Sequence, residues 1–145
     1  PKSPSNVGSV MRAAGCYGVN SVYYTGRRYD IAKPFYTDTQ NAYEKLPLIG
    51  VEDLAQVVPL GCVPVAVELA AGAKPLPSYK HPPRAFYIFG PEDGSLSKAV
   101  TNFCSETIYV PTEGCMNLAA TVNVVLYDRL AKGDDFSYHH AELRL

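Results

Sequence analysis

Arg12, Glu92 and Asn117 are polar residues set into three short segments whose surroundings are apolar or sharply turned. In Asn6-Val-Gly-Ser-Val-Met-Arg12, Asn6 and Gly8 stand at a helix entrance, where free backbone amides suit an anion or a sugar. Arg12 lies just off the apolar stripe Val7, Val10, Met11 and Ala14. In Phe89-Gly-Pro-Glu-Asp-Gly-Ser-Leu-Ser97 a strand runs directly into Gly90-Pro91, and Gly90 has no Cβ to keep a ligand away from the backbone. Glu92 follows on that turn, free to pair with a basic group or to accept from amides. In Val110-Pro-Thr-Glu-Gly-Cys-Met-Asn-Leu-Ala119, Asn117 opens an apolar helix, where its amide can fix a loop or contact a ligand. Each segment also has a plain structural reading. Glu92 is then a helix-start residue, Asn117 a loop-fixing amide, and Arg12 a solvated residue at a helix edge.

The elements that must position these groups follow from the pattern of the chain. Pro4-Ser5-Asn6 starts a helix, with Ser5 or Asn6 as its cap, and Gly18 stops it. Strands are predicted over 21–25, 46–51, 63–69, 85–89 and 107–110, and helices over 52–57, 96–103 and 117–131. Residues 70–84, with Gly72 and four prolines, read as a loop. Strands that are near-continuous apolar runs, alternating with helices, signify a parallel sheet covered on both faces. In such a sheet, ligands bind at the carboxyl ends of the strands. The last helix is apolar nearly all round, so it needs a second cover beyond its own sheet, and a partner subunit is the expected one.

The chain has 145 residues, 47% hydrophobic and 19% charged, which suits one domain with a real core and argues against disorder. We divide it into a domain over 1–132 and a polar tail over 133–145. No apolar run is long enough to span a membrane. Cys16, Cys62, Cys104 and Cys115 have neither zinc-ligand nor disulfide-framework spacing, and read as reduced thiols of a cytoplasmic protein. His139 and His140 have no suitably spaced partner, so no metal site is expected. A net charge of −1 argues mildly against a nucleic-acid partner, without excluding a local basic patch.

Taken together, the three segments resemble the SpoU/TrmH-type RNA ribose methyltransferases of the SPOUT class. They match an N-x-G-x-x-x-R first motif, an F-G-P-E second motif and a third motif that ends in N-L at the last helix. The resemblance runs from about Pro4 to about Ala131, and Gly114 to Arg129 is similar to the small single-domain branch that modifies tRNA. It implies an α/β fold, mostly parallel, with a C-terminal trefoil knot whose loops bind S-adenosylmethionine. By position, the cofactor-lining residues are Val67, Glu68, Leu69, Gly90, Val110, Cys115, Asn117 and Leu118. The implied catalytic set is Arg12, Asn6, Glu92 and Asn117. An arginine, with a pKa above about 12, serves better to position a 2′-hydroxyl and stabilise the developing alkoxide than to act as a base. The methyl of a sulfonium is already activated, so the transfer requires no metal. The resemblance further implies a homodimer with the site at its interface and Glu92 helping to hold it, for instance by pairing with Arg12.

The chain departs from the family where Cys115 replaces a common serine, where 111–117 is short, and where Ser95 displaces a glycine. The first strand expected before Pro4 is also absent. RNA-binding candidates are Arg12, Arg27, Arg28, Lys80, His81 and Arg84, with the tyrosines Tyr29 and Tyr79 beside them to stack on bases. The expected activity is methyl transfer to a ribose 2′-hydroxyl of RNA, tRNA ahead of ribosomal RNA. The rival is a catalytically silent protein that binds RNA or cofactor on the same scaffold.

Overall fold

A computed structural model describes residues 4–26, 46–91 and 94–133. The chain begins with α1 (Pro4–Cys16), which places a proline where the missing N–H costs nothing. Ser5 and Asn6 thus lie inside its first turn and do not cap it. Val7, Met11 and Ala14 recur at helical spacing and are all buried, packing with Leu46. At its end Gly18 takes φ 70°, and the Val19 N–H reaches back to the Ala14 carbonyl at 3.0 Å. This left-handed glycine stop satisfies a carbonyl that the helix leaves free.

Strands β1 (Val22–Tyr24) and β2 (Leu48–Gly50) pair in parallel. The segment expected as a helix over 52–57 is a single 3₁₀ turn, Leu54–Gln56, which Asp53 caps through the Ala55 N–H. Next come β3 (Val63–Val67), β4 (Lys74–Pro75), a second 3₁₀ turn (Leu76–Ser78) and β5 (Ala85–Phe89). The remaining elements are α2 (Lys98–Phe103), β6 (Glu106–Tyr109) and α3 (Leu118–Lys132). Residues 70–84 therefore hold a short strand and a turn where a loop was expected. The reason is burial: Leu76 and Tyr79 sit in the core with Val65, Ile108 and Val125, and prolines permit both elements at a sheet edge.

Strands β4, β6, β3 and β5 form a fully parallel sheet in that order. Pro64 fits in β3 because the pairing with β6 starts only at Val65. The order places β6 between β3 and β4, which are consecutive in the chain. α3 covers the sheet with Val125 and packs against Ala13 of α1 with Val122 and Leu126. Its other side leaves Val124 and Tyr127 exposed. A cleft of about 1430 Å³ separates β1 from β5, bridged by the rings of Tyr23 and Phe86 at 5.7 Å. No helix among the described residues is long and apolar enough to cross a membrane.

Candidate functional site at the carboxyl edge of the sheet

Val67 pairs with Phe89 on one side and Ile108 on the other, and all three strands run the same way. The chain therefore leaves β3, β5 and β6 at one edge and at one level. Glu68, Leu69, Gly90 and Val110 emerge there side by side, so four of the sequence-predicted cofactor residues are brought together by strand register alone. Val67 itself is buried in the core beneath them.

The side chains at this edge do different work. Glu68 donates its N–H to the Ile108 carbonyl at 2.8 Å, and its carboxylate accepts from the Leu96 N–H at 2.9 Å. Leu69 stands 80% exposed, an apolar side chain at the rim of a polar loop cluster. A Cβ at Gly90 would meet Leu96 at 3.6 Å, so Leu96 packs close against that glycine. Val110 packs down onto the core around Ile108. Thr112 closes the next turn onto the Gly114 carbonyl at 2.7 Å, and Cys115 is exposed.

Asn117 is the N-cap of α3: its side-chain oxygen accepts the Ala120 N–H at 2.8 Å. Of the two readings of its amide, the structure places it in the loop-fixing geometry. Leu118 packs with the cluster between α3 and α1 and also faces the cleft that reaches Gly90. Asn6 is half-buried in the first turn of α1, and Arg12 is exposed on the same helix, with no polar partner among the described residues. Glu92, Arg27, Arg28, Tyr29, His139, His140 and the tail from 134 lie outside the described residues.

The basic loop candidates fall elsewhere. Arg84 immediately precedes β5, so it and Lys80 lie toward the amino edge, away from Gly90. Both are exposed. Two of their neighbours cannot meet RNA as expected, because they are buried. Tyr79 is 4% exposed, and the His81 side chain is bonded at both ring nitrogens. Burial pushes the Tyr79 phenol well above its ordinary range, and the Glu106 charge pushes the same way. No partner of good hydrogen-bond geometry reaches its Oη among the described residues.

His81 joins a polar cluster that the sequence did not reveal. Its Nε2 meets Asp128 Oδ2 at 2.7 Å and its Nδ1 meets the Tyr87 hydroxyl at 2.7 Å. Arg129 donates to Tyr87 Oη at 3.1 Å and to the carbonyls of Pro82 and Pro83 at 2.7 Å each. Lys132 pairs with Asp128 at 2.7 Å and donates to the carbonyls of Leu76 and Tyr79. These bonds are all satisfied by a neutral imidazole that donates from Nε2 and accepts the Tyr87 proton. Burial holds the His81 pKa below its ordinary value, outweighing the pull of Asp128. The α3 residues lie 42 to 56 positions from the residues they hold in the 76–87 segment, and no local motif marks them.

The large cleft between β1 and β5 touches the candidate edge only at Gly90, Pro91 and the loop that follows them. Its walls combine strand edges and the apolar sides of α1 and α3 with the 79–84 segment, Arg129 and Lys132.

Comparison with known proteins adds the following. The family model described as the SpoU rRNA methylase family matches residues 1–127. No curated protein sequence matches. Among solved structures, the SpoU methyltransferase AviRb from Streptomyces viridochromogenes, in complex with AdoMet, superposes with a TM-score of 0.73 at 22% identity. That match covers 90% of this chain and 56% of AviRb. The A. aeolicus TrmH/SpoU tRNA modifying enzyme gives 0.74 at 16% identity, over 90% of this chain and 70% of that one. A structure concerned with 2-OH methylation of C/U34 on tRNA gives 0.71 at 22% identity, over 90% and 84%. The chain thus spans just over half the length of AviRb, and at these identities the likeness is one of fold.

Proposed function

From the fact that the chain belongs to the SpoU rRNA methylase family, we propose that it transfers a methyl group from S-adenosylmethionine to a ribose 2′-hydroxyl of RNA, tRNA foremost. The observation that carries this reading is the convergence of Glu68, Leu69, Gly90 and Val110 at one level of the carboxyl edge. Such an edge offers main-chain donors and acceptors from three loops, and the exposed Leu69 offers an apolar surface for a planar ring. That combination fits a ligand with both a nucleoside and an amino-acid moiety. The cofactor supplies an activated methyl; the protein must hold the acceptor in line and stabilise the oxyanion that forms. Arg12 is assigned that task, since it is exposed and, among the described residues, makes no polar contact that would hold it elsewhere. Asn6 and Glu92 complete the assigned set.

The insertion of β6 between β3 and β4 supports a trefoil knot in this half of the chain. The exposed Val124 and Tyr127 on α3, flanked by Tyr17, support a homodimer formed on that side. A ribosomal RNA substrate is the second reading, favoured by the description of the matching family. The test is calorimetric binding of S-adenosylmethionine, followed in the same preparation by methyl transfer to total tRNA and to ribosomal RNA. Binding with transfer to tRNA is expected. Transfer to ribosomal RNA alone moves the proposal to the second reading, and no binding by a folded protein overturns both.

A further inference from the structure

We propose that Glu68 is a positioning residue, holding Leu96 beside Gly90 as the cofactor edge requires rather than contacting the cofactor itself. This rests on the cofactor reading above. Three observations converge on it. The Glu68 N–H is bonded to the Ile108 carbonyl at 2.8 Å, which continues the β3–β6 ladder and fixes the residue's main chain at the strand end. From that fixed base its Oε1 accepts the Leu96 N–H at 2.9 Å, across 28 residues of sequence. Leu96 in turn lies 3.6 Å from the place where a Cβ of Gly90 would stand, so the residue held by Glu68 is the one that packs on Gly90.

The carboxylate therefore sets the spacing between two of the three chain exits that form the edge. Directly after Leu96, Ser97 caps α2 by accepting the Val100 N–H at 3.3 Å, so the tie also fixes where that helix starts. A carboxylate-to-amide bond is among the stronger hydrogen bonds, and its acceptor role needs an oxygen rather than a charge. Glutamine keeps that oxygen; alanine removes it.

The experiment compares wild type, Glu68→Gln and Glu68→Ala for cofactor affinity, transfer rate at saturating cofactor, and exchange of the Leu96 amide. Glu68→Ala is expected to weaken S-adenosylmethionine binding roughly tenfold and to speed Leu96 exchange. Glu68→Gln, which keeps the acceptor oxygen, should regain most of that affinity and slow Leu96 exchange toward wild type, and any fall in transfer rate should follow the same order. Equal loss in the glutamine and alanine proteins would mean that the charge meets the cofactor directly, and overturns the positioning role. Unchanged affinity in Glu68→Ala, with wild type binding normally, overturns it too. A wild type that does not bind sinks the proposed function, and this role falls with it; Leu96 exchange then still reports whether the tie exists.

Discussion

The two ends of α3 are built on opposite plans. At its start, Asn117 spends its side chain on one bond to the helix's own backbone, and the neighbouring loop leaves Cys115 exposed. At its end, Asp128, Arg129 and Lys132 hold the proline-rich segment through His81, Tyr87 and four backbone carbonyls. The difference shows where this small domain tolerates looseness. Segments that must admit a ligand are drawn from the weakly tied part of a structure, whereas the scaffold beneath is fixed many times over. The two arginines repeat the contrast: Arg129 donates three hydrogen bonds, and Arg12 is exposed with none to the other described residues.

The largest expected effect tests that pair directly. Arg12→Ala should lower methyl transfer roughly 100- to 1000-fold, the scale seen when a donor to a developing oxyanion is removed. Its cofactor affinity should stay within about twofold and its stability within about 0.5 kcal/mol, as for a surface change. Full transfer by this variant would erase the contrast from the functional side. Arg129→Ala should do the reverse, costing about 3 kcal/mol in urea unfolding because two prolyl carbonyls and the Tyr87 hydroxyl lose a charged donor together. A loss below about 1 kcal/mol would show that the anchor is ornamental.

Asn117→Ala sits between these cases, with an expected loss of about 1 kcal/mol from the missing cap, read as a lowered melting temperature. A far larger fall in cofactor affinity than in stability would instead give that amide a ligand role. The smallest effect is on pH dependence. Because burial depresses the folded pKa of His81, the unfolded chain takes up the proton first as pH falls. The stability this residue supports is complete above about pH 6.5 and declines as pH drops through the depressed folded value. Urea midpoints at pH 7.5 and 5.5 should therefore diverge in wild type and converge in His81→Gln; equal slopes would break the assignment of a neutral imidazole.

How much of this was legible in the sequence depended on the range of the forces involved. β5 matches its predicted span, and β3 ends two residues early, because buried parallel strands are written as continuous apolar runs. The stop at Gly18 was equally local. What failed was long-range. Tyr79 looked like an exposed stacking residue until the core around Val65, Ile108 and Val125 covered it. His81 looked like a loop charge because its partner Asp128 is 47 residues away. Glu68 was expected to line the cofactor; the structure sets it at the carboxyl end of β3, and its tie to Leu96 could not be read from spacing.

The place of β6 between β3 and β4 also orders events during synthesis. Residues 63–78 leave the ribosome with a vacancy between two of their own strands, and the strand that fills it is some 30 residues away. At about 5–20 residues per second the nascent chain waits roughly 1.5 to 6 seconds before its wedge is made. A message truncated ahead of Glu106 cannot yield a smaller working version of this sheet, because the part it lacks belongs in the middle.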